Sequence, residues 1–199
     1  MKKESIDLHV MWHIDVLLQA YPVTIVTTVN SAGKLNAAPY SLVLPYCSSP
    51  KNPQMILIVN KNWHTAKNIV ETGEFVLNYP GAGQVKDIVE TSRYYAAGVN
   101  EIEYTDFTTM SSNHVKPPRI TECYQHVECR IIKTEKPSEF QLNFIAEVLD
   151  ISQEQGLYDL GHVERAKKVS APAYLGVDEE QHHVFGEIKN IRAEEIDLF

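Results

Sequence analysis

Cysteine is scarce in this chain: Cys47, Cys123 and Cys129 are the only three among 199 residues. An odd, scattered set does not make a disulfide framework. Long apolar runs are missing as well. No window approaches the ~20 consecutive apolar residues of a membrane-spanning helix. The opening MKKESIDLHVMWH has a basic start but no apolar stretch of signal-peptide length, so a cytoplasmic location is expected. Positive charge is in deficit, with 18 Lys and Arg against 26 Asp and Glu and a formal net charge of -8. Such an average field repels a polyanion. Positive residues cluster only at Lys2-Lys3 and at Arg165-Ala166-Lys167-Lys168, both read as solvated surface, and nucleic-acid binding is disfavoured. GxGxxG, Walker-type and GxSxG sequences are absent, which argues against a Rossmann nicotinamide domain and a serine hydrolase.

What is present is an ordinary globular composition, 44% apolar. The length suits one domain over 1–199, since domains run to roughly 100–200 residues. Residues 14–21 predict a short helix, ended by Pro22. The β-branched VTIVTTV from Val23 predicts a strand. Asn30-Ser31-Ala32-Gly33 supplies a turn, and the chain returns through Lys34–Leu44 as a hairpin. Pro45 to Pro53 reads as a loop, 54–59 (QMILIV) as a buried strand, and 63–72 as a helix with Asn62 as N-cap and Gly73 past its end. Strands are expected at 75–79, 122–134, 139–151 and 183–189, and helices at 84–92 and 157–168. In 139–151, Phe140, Leu142, Phe144, Ala146 and Val148 alternate with Gln141, Asn143, Ile145 and Glu147, giving one continuous apolar face. The section 94–116 has weak periodicity and reads as an excursion over the surface or across a partner subunit. The balance is mainly β, with helices covering edges and no βαβ rhythm. A closed or partly closed antiparallel β-barrel with flanking helices accounts for it.

Three segments carry polar residues suited to a ligand. At the helix near Trp63, free N–H groups of the first turn make a partial positive charge able to hold phosphate. His64 and Thr65 lie in that turn, Asn68 one turn on, and Lys61 just before; an ordinary capped surface helix is the competing reading. In Asn36-Ala37-Ala38-Pro39-Tyr40-Ser41, small residues followed by proline admit a ligand close to the backbone. A strand bent at Pro39, with alanine packed in the core, explains the same residues. Tyr46-Cys47-Ser48-Ser49 offers a thiol and two hydroxyls: a redox pair, a nucleophile, or the polar edge of a flat ring. A cysteine nucleophile needs a positioned base, and no local motif supplies one.

A metal centre fails on paper. Cys123, His126, Glu128 and Cys129 placed on one strand diverge, with the two cysteines about 20 Å apart at ~3.3 Å per residue. A zinc ion needs its ligands within about 2.3 Å of one point. His182-His183 diverge likewise and read as surface histidines.

In order and spacing, PVTIVTT at 22–28, AGKLNAAPYS at 32–41, Thr65 with Asn68-Ile69 and Thr72-Gly73-Glu74-Phe75-Val76-Leu77-Asn78, and Pro118-Arg119-Ile120 followed by Glu128-Cys129 resemble the flavin reductase-like family of FMN-binding split barrels, in particular its flavoredoxin branch. The resemblance covers most of the chain except 81–116. It implies a homodimer with one non-covalent FMN per subunit, near the dimer interface. Carried over residue by residue, it places FMN contacts at Asn36, Ala38, Pro39, Tyr40 and Ser41, at Cys47, Ser48 and Ser49, and at His64, Thr65 and Asn68, with Asn78 as a further candidate. The implied activity is that of an NAD(P)H-dependent flavin reductase or flavoredoxin-type oxidoreductase. Nicotinamide is its transient co-substrate, and the acceptor is a free flavin, a ferric chelate or a redox protein partner. No dedicated catalytic acid–base residue is assigned. A non-catalytic FMN carrier or electron-transfer protein, reduced by a separate partner, is the alternative, and a small β-barrel module without flavin is a third. Where family members often carry Lys or Arg near the phosphate, this chain has Trp63-His64.

Overall fold

The computed structural model describes residues 3–8, 12–17, 19–178, 180, 182–188 and 191. A single helical turn, α1 (Trp12–Asp15), precedes β1 (Tyr21–Pro22), β2 (Thr24–Val29), β3 (Leu35–Tyr40), β4 (Val43–Cys47) and β5 (Gln54–Asn60). There follow α2 (His64–Thr72), β6 (Glu74–Tyr79), α3 (Val85–Thr91), a 3-10 turn (Glu101–Tyr104), β7 (Thr109–Met110) and β8 (Arg119–Ile120). Two long strands, β9 (Gln125–Glu135) and β10 (Gln141–Gln153), lead to α4 (His162–Val169), β11 (Pro172–Val177) and β12 (His183–Glu187).

Seven strands make one curled antiparallel half-barrel in the order β3-β2-β6-β9-β10-β5-β4. β1, β11 and β12 form a separate small sheet. The mainly β split-barrel expectation therefore holds. β2 sits between β3 and β6 and is buried at all its positions. Successive side chains of a strand point to opposite faces. Val26 thus joins an inner cluster with Leu57, Phe75, Leu77 and Phe144, while Ile25 joins an outer one with Ile88, Ile102 and Ile120. α2 belongs to the inner cluster through Ala66 and Ile69, so the helix plugs the curl of the sheet.

Local chemistry explains the joints. Asn30 Oδ1 accepts the N–H groups of Ala32 (3.0 Å) and Lys34 (2.9 Å), and Gly33 takes φ +75°, which closes the β2–β3 hairpin. Gly73 ends α2 at φ +72°, its N–H bonded to Ile69 O, as glycine does where a left-handed residue stops a helix.

Some expectations are corrected. The helix over 14–21 is one turn at 12–15; position 18 lies outside the described residues. Pro45 does not open a loop but sits in β4, an edge strand, where a missing N–H costs no ladder bond, with an irregularity between Pro45 and Cys47. Residue 63, not Asn62, occupies the N-cap position of α2. On β10, Phe140 precedes the strand and is exposed, and Ile145 is only 2% exposed. The register slips between Ile145 and Ala146. β11 has no counterpart in the sequence reading, because Pro172 and Gly176 break the apolar alternation that marks a strand. The 183–189 strand is seen as His183–Glu187, and position 189 lies outside the described residues. The excursion over 94–116 lies on the outer side of β2 and β3. Its Ile102 and Phe107 pack in the outer cluster, and Asn113 N and His114 N donate to the buried Glu128 carboxylate.

Candidate functional site

β3, the start of α2, the end of α3 and the small C-terminal sheet surround a cavity of about 650 Å³. This is within the ~300–1,000 Å³ range of small-molecule sites. Asn36, Ala38, Pro39, Tyr40 and Ser41 line it from β3 and the residue after it, and His64 and Thr65 line it from α2. Asn68 faces a second recess of about 150 Å³, which also meets Asn36 and His64 and adds Lys34 and Lys67. The structure thus brings eight of the eleven sequence-predicted residues to two adjoining hollows. Cys47, Ser48 and Ser49 line neither one. They stand at the β4 edge, the opposite end of the strand order from β3. Asn78 is fully buried among backbone partners and lines neither hollow. Lys61 lies over the Phe140 ring at 5.9 Å and is absent from both walls.

The start of α2 is built to leave donors free. Asn60 Oδ1 accepts the Asn62 N–H (3.0 Å), turning the chain off β5. Trp63 provides no side-chain cap, and the first turn carries no acidic residue. The first intrahelical bond runs from Lys67 N to Trp63 O (3.2 Å), so the preceding N–H groups have no partner within the helix. They belong to the turn whose His64 and Thr65 line the cavity, at the positive end of the helix dipole.

The facing wall is an edge strand whose open side is already managed. Pro39 has no N–H to offer, and Ala37 N donates to Glu101 Oε2 at 2.8 Å. Glu101 begins the 3-10 turn within the excursion, is 4% exposed, and lines the cavity. Burial raises its carboxyl above the usual range, opposed by the N–H of Ala37 and its own backbone N–H. The Asn36 amide lies between Glu101 and Thr65 Oγ1, with 3.1 Å to the latter. Burial also pushes the Tyr40 phenol upward, against a hydrogen bond with Thr65. Asn68 Nδ2 donates to Thr28 Oγ1 at 3.0 Å.

The remaining walls are largely aromatic: Tyr40 against Trp63 (ring centroids 5.8 Å), His64 near Tyr94 (6.2 Å), and Tyr174 against Phe185 (5.5 Å). His183 is exposed, as read, yet it also belongs to this wall. Sequence reasoning missed Glu101, Lys34, Lys67 and the Tyr174–Phe185 wall. Lys34 stands inside the AGKLNAAPYS segment and Lys67 inside the helix read over 63–72, so both were within reach; Glu101 and the Tyr174–Phe185 wall come from parts of the chain without local signature. Cys123 and Cys129 pack in different apolar clusters, and burial pushes both thiols upward, away from nucleophilic use.

The split barrel encloses a cavity that is polar and donor-rich at one end and aromatic along its walls, a chemistry suited to a flat molecule with an anionic end. The chain belongs to the flavin reductase-like family, a family of flavin-related oxidoreductases: residues 18–169 match the flavin reductase like domain. An uncharacterized protein of Methanothermobacter thermautotrophicus is 37% identical over 111 residues, 55% of this chain and 51% of the relative, so the match spans about half of that protein's length. Nitrilotriacetate monooxygenase component B from Bacillus cereus superposes with a TM-score of 0.82 at 23% identity, covering 100% of both chains. Flavoredoxin of Desulfovibrio vulgaris (Miyazaki F) does so with 0.78 at 18% identity, covering 99% of each. Both likenesses are of fold. Among the described residues, no helix is long and apolar enough to cross a membrane.

Proposed function

We propose that this chain is an NAD(P)H-dependent oxidoreductase that holds FMN non-covalently in the cavity beside α2. The observation that carries this reading is the meeting of an uncapped helix start, a proline-bearing edge strand and aromatic walls in one hollow of family-appropriate chemistry. The donor set fits the group: free N–H groups with His64 and Thr65 suit a phosphate, Asn36 and Ser41 suit ribityl hydroxyls, and the apolar rings suit a flat heterocycle. When bound, a flavin supplies the acceptance and release of hydride or electrons, which side chains alone lack. The protein's part is to bind, orient and shield. Ala38 and Pro39 let the ring come close to the backbone, and Trp63 and Tyr40 exclude water from one side. Two copies of the chain are proposed to associate through the β4 edge, where Leu44 and Tyr46 are 49% and 52% exposed beside the 47–49 segment.

The deciding experiment is an absorption spectrum of the purified protein before and after anaerobic NADH or NADPH. A flavin band that bleaches within a turnover time is expected. A band that persists identifies a carrier reduced by a separate partner, and colourless protein that takes up no added FMN rejects the reading altogether.

The lysines of the small recess give a second test. Lys34 and Lys67 are the cations flanking the α2 start, in place of the expected Lys61. The Lys34→Ala, Lys67→Ala double variant is expected to bind FMN roughly tenfold more weakly, since each solvent-facing charge contributes up to about 1 kcal/mol. Riboflavin, which has no phosphate, should be unaffected in the same fluorescence titration. Equal losses for both ligands would remove the lysines from the phosphate's surroundings.

A further inference from the structure

The Asn36 amide has Glu101 on one side and Thr65 on the other, and both of its orientations make hydrogen bonds. In one, Nδ2 donates to Glu101 Oε1 at 3.2 Å, while Oδ1 accepts from Ala37 N (3.2 Å) and from the Thr65 hydroxyl (3.1 Å). This arrangement suits an ionised Glu101, which only accepts. In the other, Nδ2 donates to Thr65 Oγ1 at 3.1 Å but also meets the Ala37 N–H, and Oδ1 faces Glu101 Oε1, so this orientation is disfavoured while Glu101 is ionised. Two acceptors then meet unless Glu101 carries a proton and donates it to Asn36. Ala37 N donates to Glu101 Oε2 in either case. The orientations differ in what they leave for the cavity. With Glu101 ionised, the Thr65 proton is committed to Asn36. With Glu101 protonated, Thr65 accepts from Asn36, and its own proton is released toward the cavity, where the Tyr40 phenol oxygen is a protein acceptor competing for it.

We propose that a proton on Glu101 and an anion at the start of α2 bind together, through a turn of the Asn36 amide that converts Thr65 from a donor to Asn36 into a donor toward the cavity. Glu101 is thereby a positioning residue, acting on the ligand through Asn36 and Thr65. The inference rests on the phosphate-bearing ligand proposed above, but it concerns a different property of the site.

The surroundings leave the carboxyl free to titrate. β3 presents the Asn36 amide, the Ala37 N–H and the Tyr40 phenol, and α2 presents Thr65 and, along the same wall, His64. From the α3 side, Asp87 is taken up by Asp106 N, and Arg93, which also lines the cavity, is paired with Glu90 at 2.8 Å. Tyr95 lines the cavity too and donates to Glu90, and Glu103 stands on the same 3-10 turn as Glu101. His13 and His183 line the cavity from the other end. Burial sets the direction for Glu101, upward, so the protonated form persists to higher pH than in an exposed glutamate.

The sign follows from linkage. An anion that favours the protonated state takes up a proton on binding, and its affinity falls as pH rises through the titration of Glu101. Coupling between linked sites is typically on the order of 5–150-fold. The expected fall in FMN affinity is roughly tenfold, measured by fluorescence quenching between pH 5.5 and 8.5. Glu101→Gln fixes the donor state, because its Nε2 donates to Asn36 Oδ1 and its Oε1 accepts from Ala37 N. That variant should bind FMN at pH 8.5 as tightly as the native chain does at low pH. Any slope left in it belongs to the phosphate itself, whose second ionisation lies near ~6. Riboflavin should show no Glu101-dependent slope in either protein.

A second measurement needs no variant. Calorimetric titration of the native chain with FMN, at the pH where its affinity falls most steeply and in two buffers of different ionisation enthalpy, should show net proton uptake. Parallel pH profiles for the native and Gln proteins, or no proton uptake at that pH, would overturn the linkage. If neither FMN nor riboflavin binds, the flavin reading itself has failed, a result that cannot be confused with the other.

Discussion

Asn78→Leu is expected to lower the stability of the fold by about 3–5 kcal/mol, since each buried polar group left unpaired costs about 1–3 kcal/mol. Asn78 is inaccessible to solvent on β6 and is a hub of three strands. Its Nδ2 donates to Ile25 O at 3.0 Å and to Thr27 Oγ1 at 3.2 Å on β2. Its Oδ1 accepts the Ile120 N–H at 2.8 Å, tying β8 and the preceding excursion to the sheet. Leucine has nearly the volume but none of the donors, so the backbone N–H of Ile120 and the carbonyl of Ile25 lose a partner in a place water does not reach. Chemical denaturation monitored by circular dichroism measures the loss. The flavin affinity of whatever fraction remains folded should be close to native, because Asn78 lines neither hollow. A loss of FMN affinity with unchanged stability would return Asn78 to the ligand.

Asn78 also shows where sequence reading reached and where it stopped. The EFVLN pattern announces a strand with a polar residue at its end, and that much holds. Whether such a residue points at a ligand or at neighbouring backbone depends on the strands beside it, and the pairing of β6 with both β2 and β9 is not written locally. The hairpin of β2 and β3 was legible because Asn30 and Gly33 carry turn chemistry within four residues. The α2 start was legible for a similar reason: a polar break, a helical pattern and Gly73 at its end lie within 14 residues of one another. Glu101 had no such signal. Its role depends on Ala37 and Asn36, more than 60 positions earlier, and its own neighbourhood has no periodicity to fix an element. The aromatic wall of Tyr174 and Phe185 was invisible for the same reason, since β11 pairs β12 across an irregularity that hides the alternation. Cys47, Ser48 and Ser49 illustrate the reverse case. Their chemistry suits a ring edge, yet Cys47 pairs with Gln54 at the start of β5, whereas the cavity meets these strands at the other end, at Leu42, Ile58, Val59 and Asn60.

Thr65→Ala combined with Asn68→Ala is expected to weaken FMN binding about 100-fold. Hydrogen bonds to a charged partner contribute about 1.5–3 kcal/mol each, and every 1.4 kcal/mol is a factor of ten. Binding should persist at that reduced level, because the free N–H groups at the start of α2 belong to the backbone and survive both substitutions. Each side chain also has a structural duty: Thr65 Oγ1 partners Asn36, and Asn68 Nδ2 partners Thr28. A thermal melt and a riboflavin titration separate these duties from ligand contact. A lower melting temperature with equal losses for FMN and riboflavin would mark a distorted wall, not a lost phosphate contact. An FMN affinity within threefold of native would exclude the α2 start as the anion's place. The single variant Thr65→Ala adds a discriminating readout. It leaves Glu101 and Asn36 intact but removes the hydroxyl through which their protonation is transmitted to the cavity. Its FMN affinity should therefore be weaker than native yet lose the Glu101-dependent fall with rising pH. A Thr65→Ala protein that kept the native pH profile would mean that Glu101 reaches the anion through the field alone, by charge across the cavity, and not through the Asn36 amide.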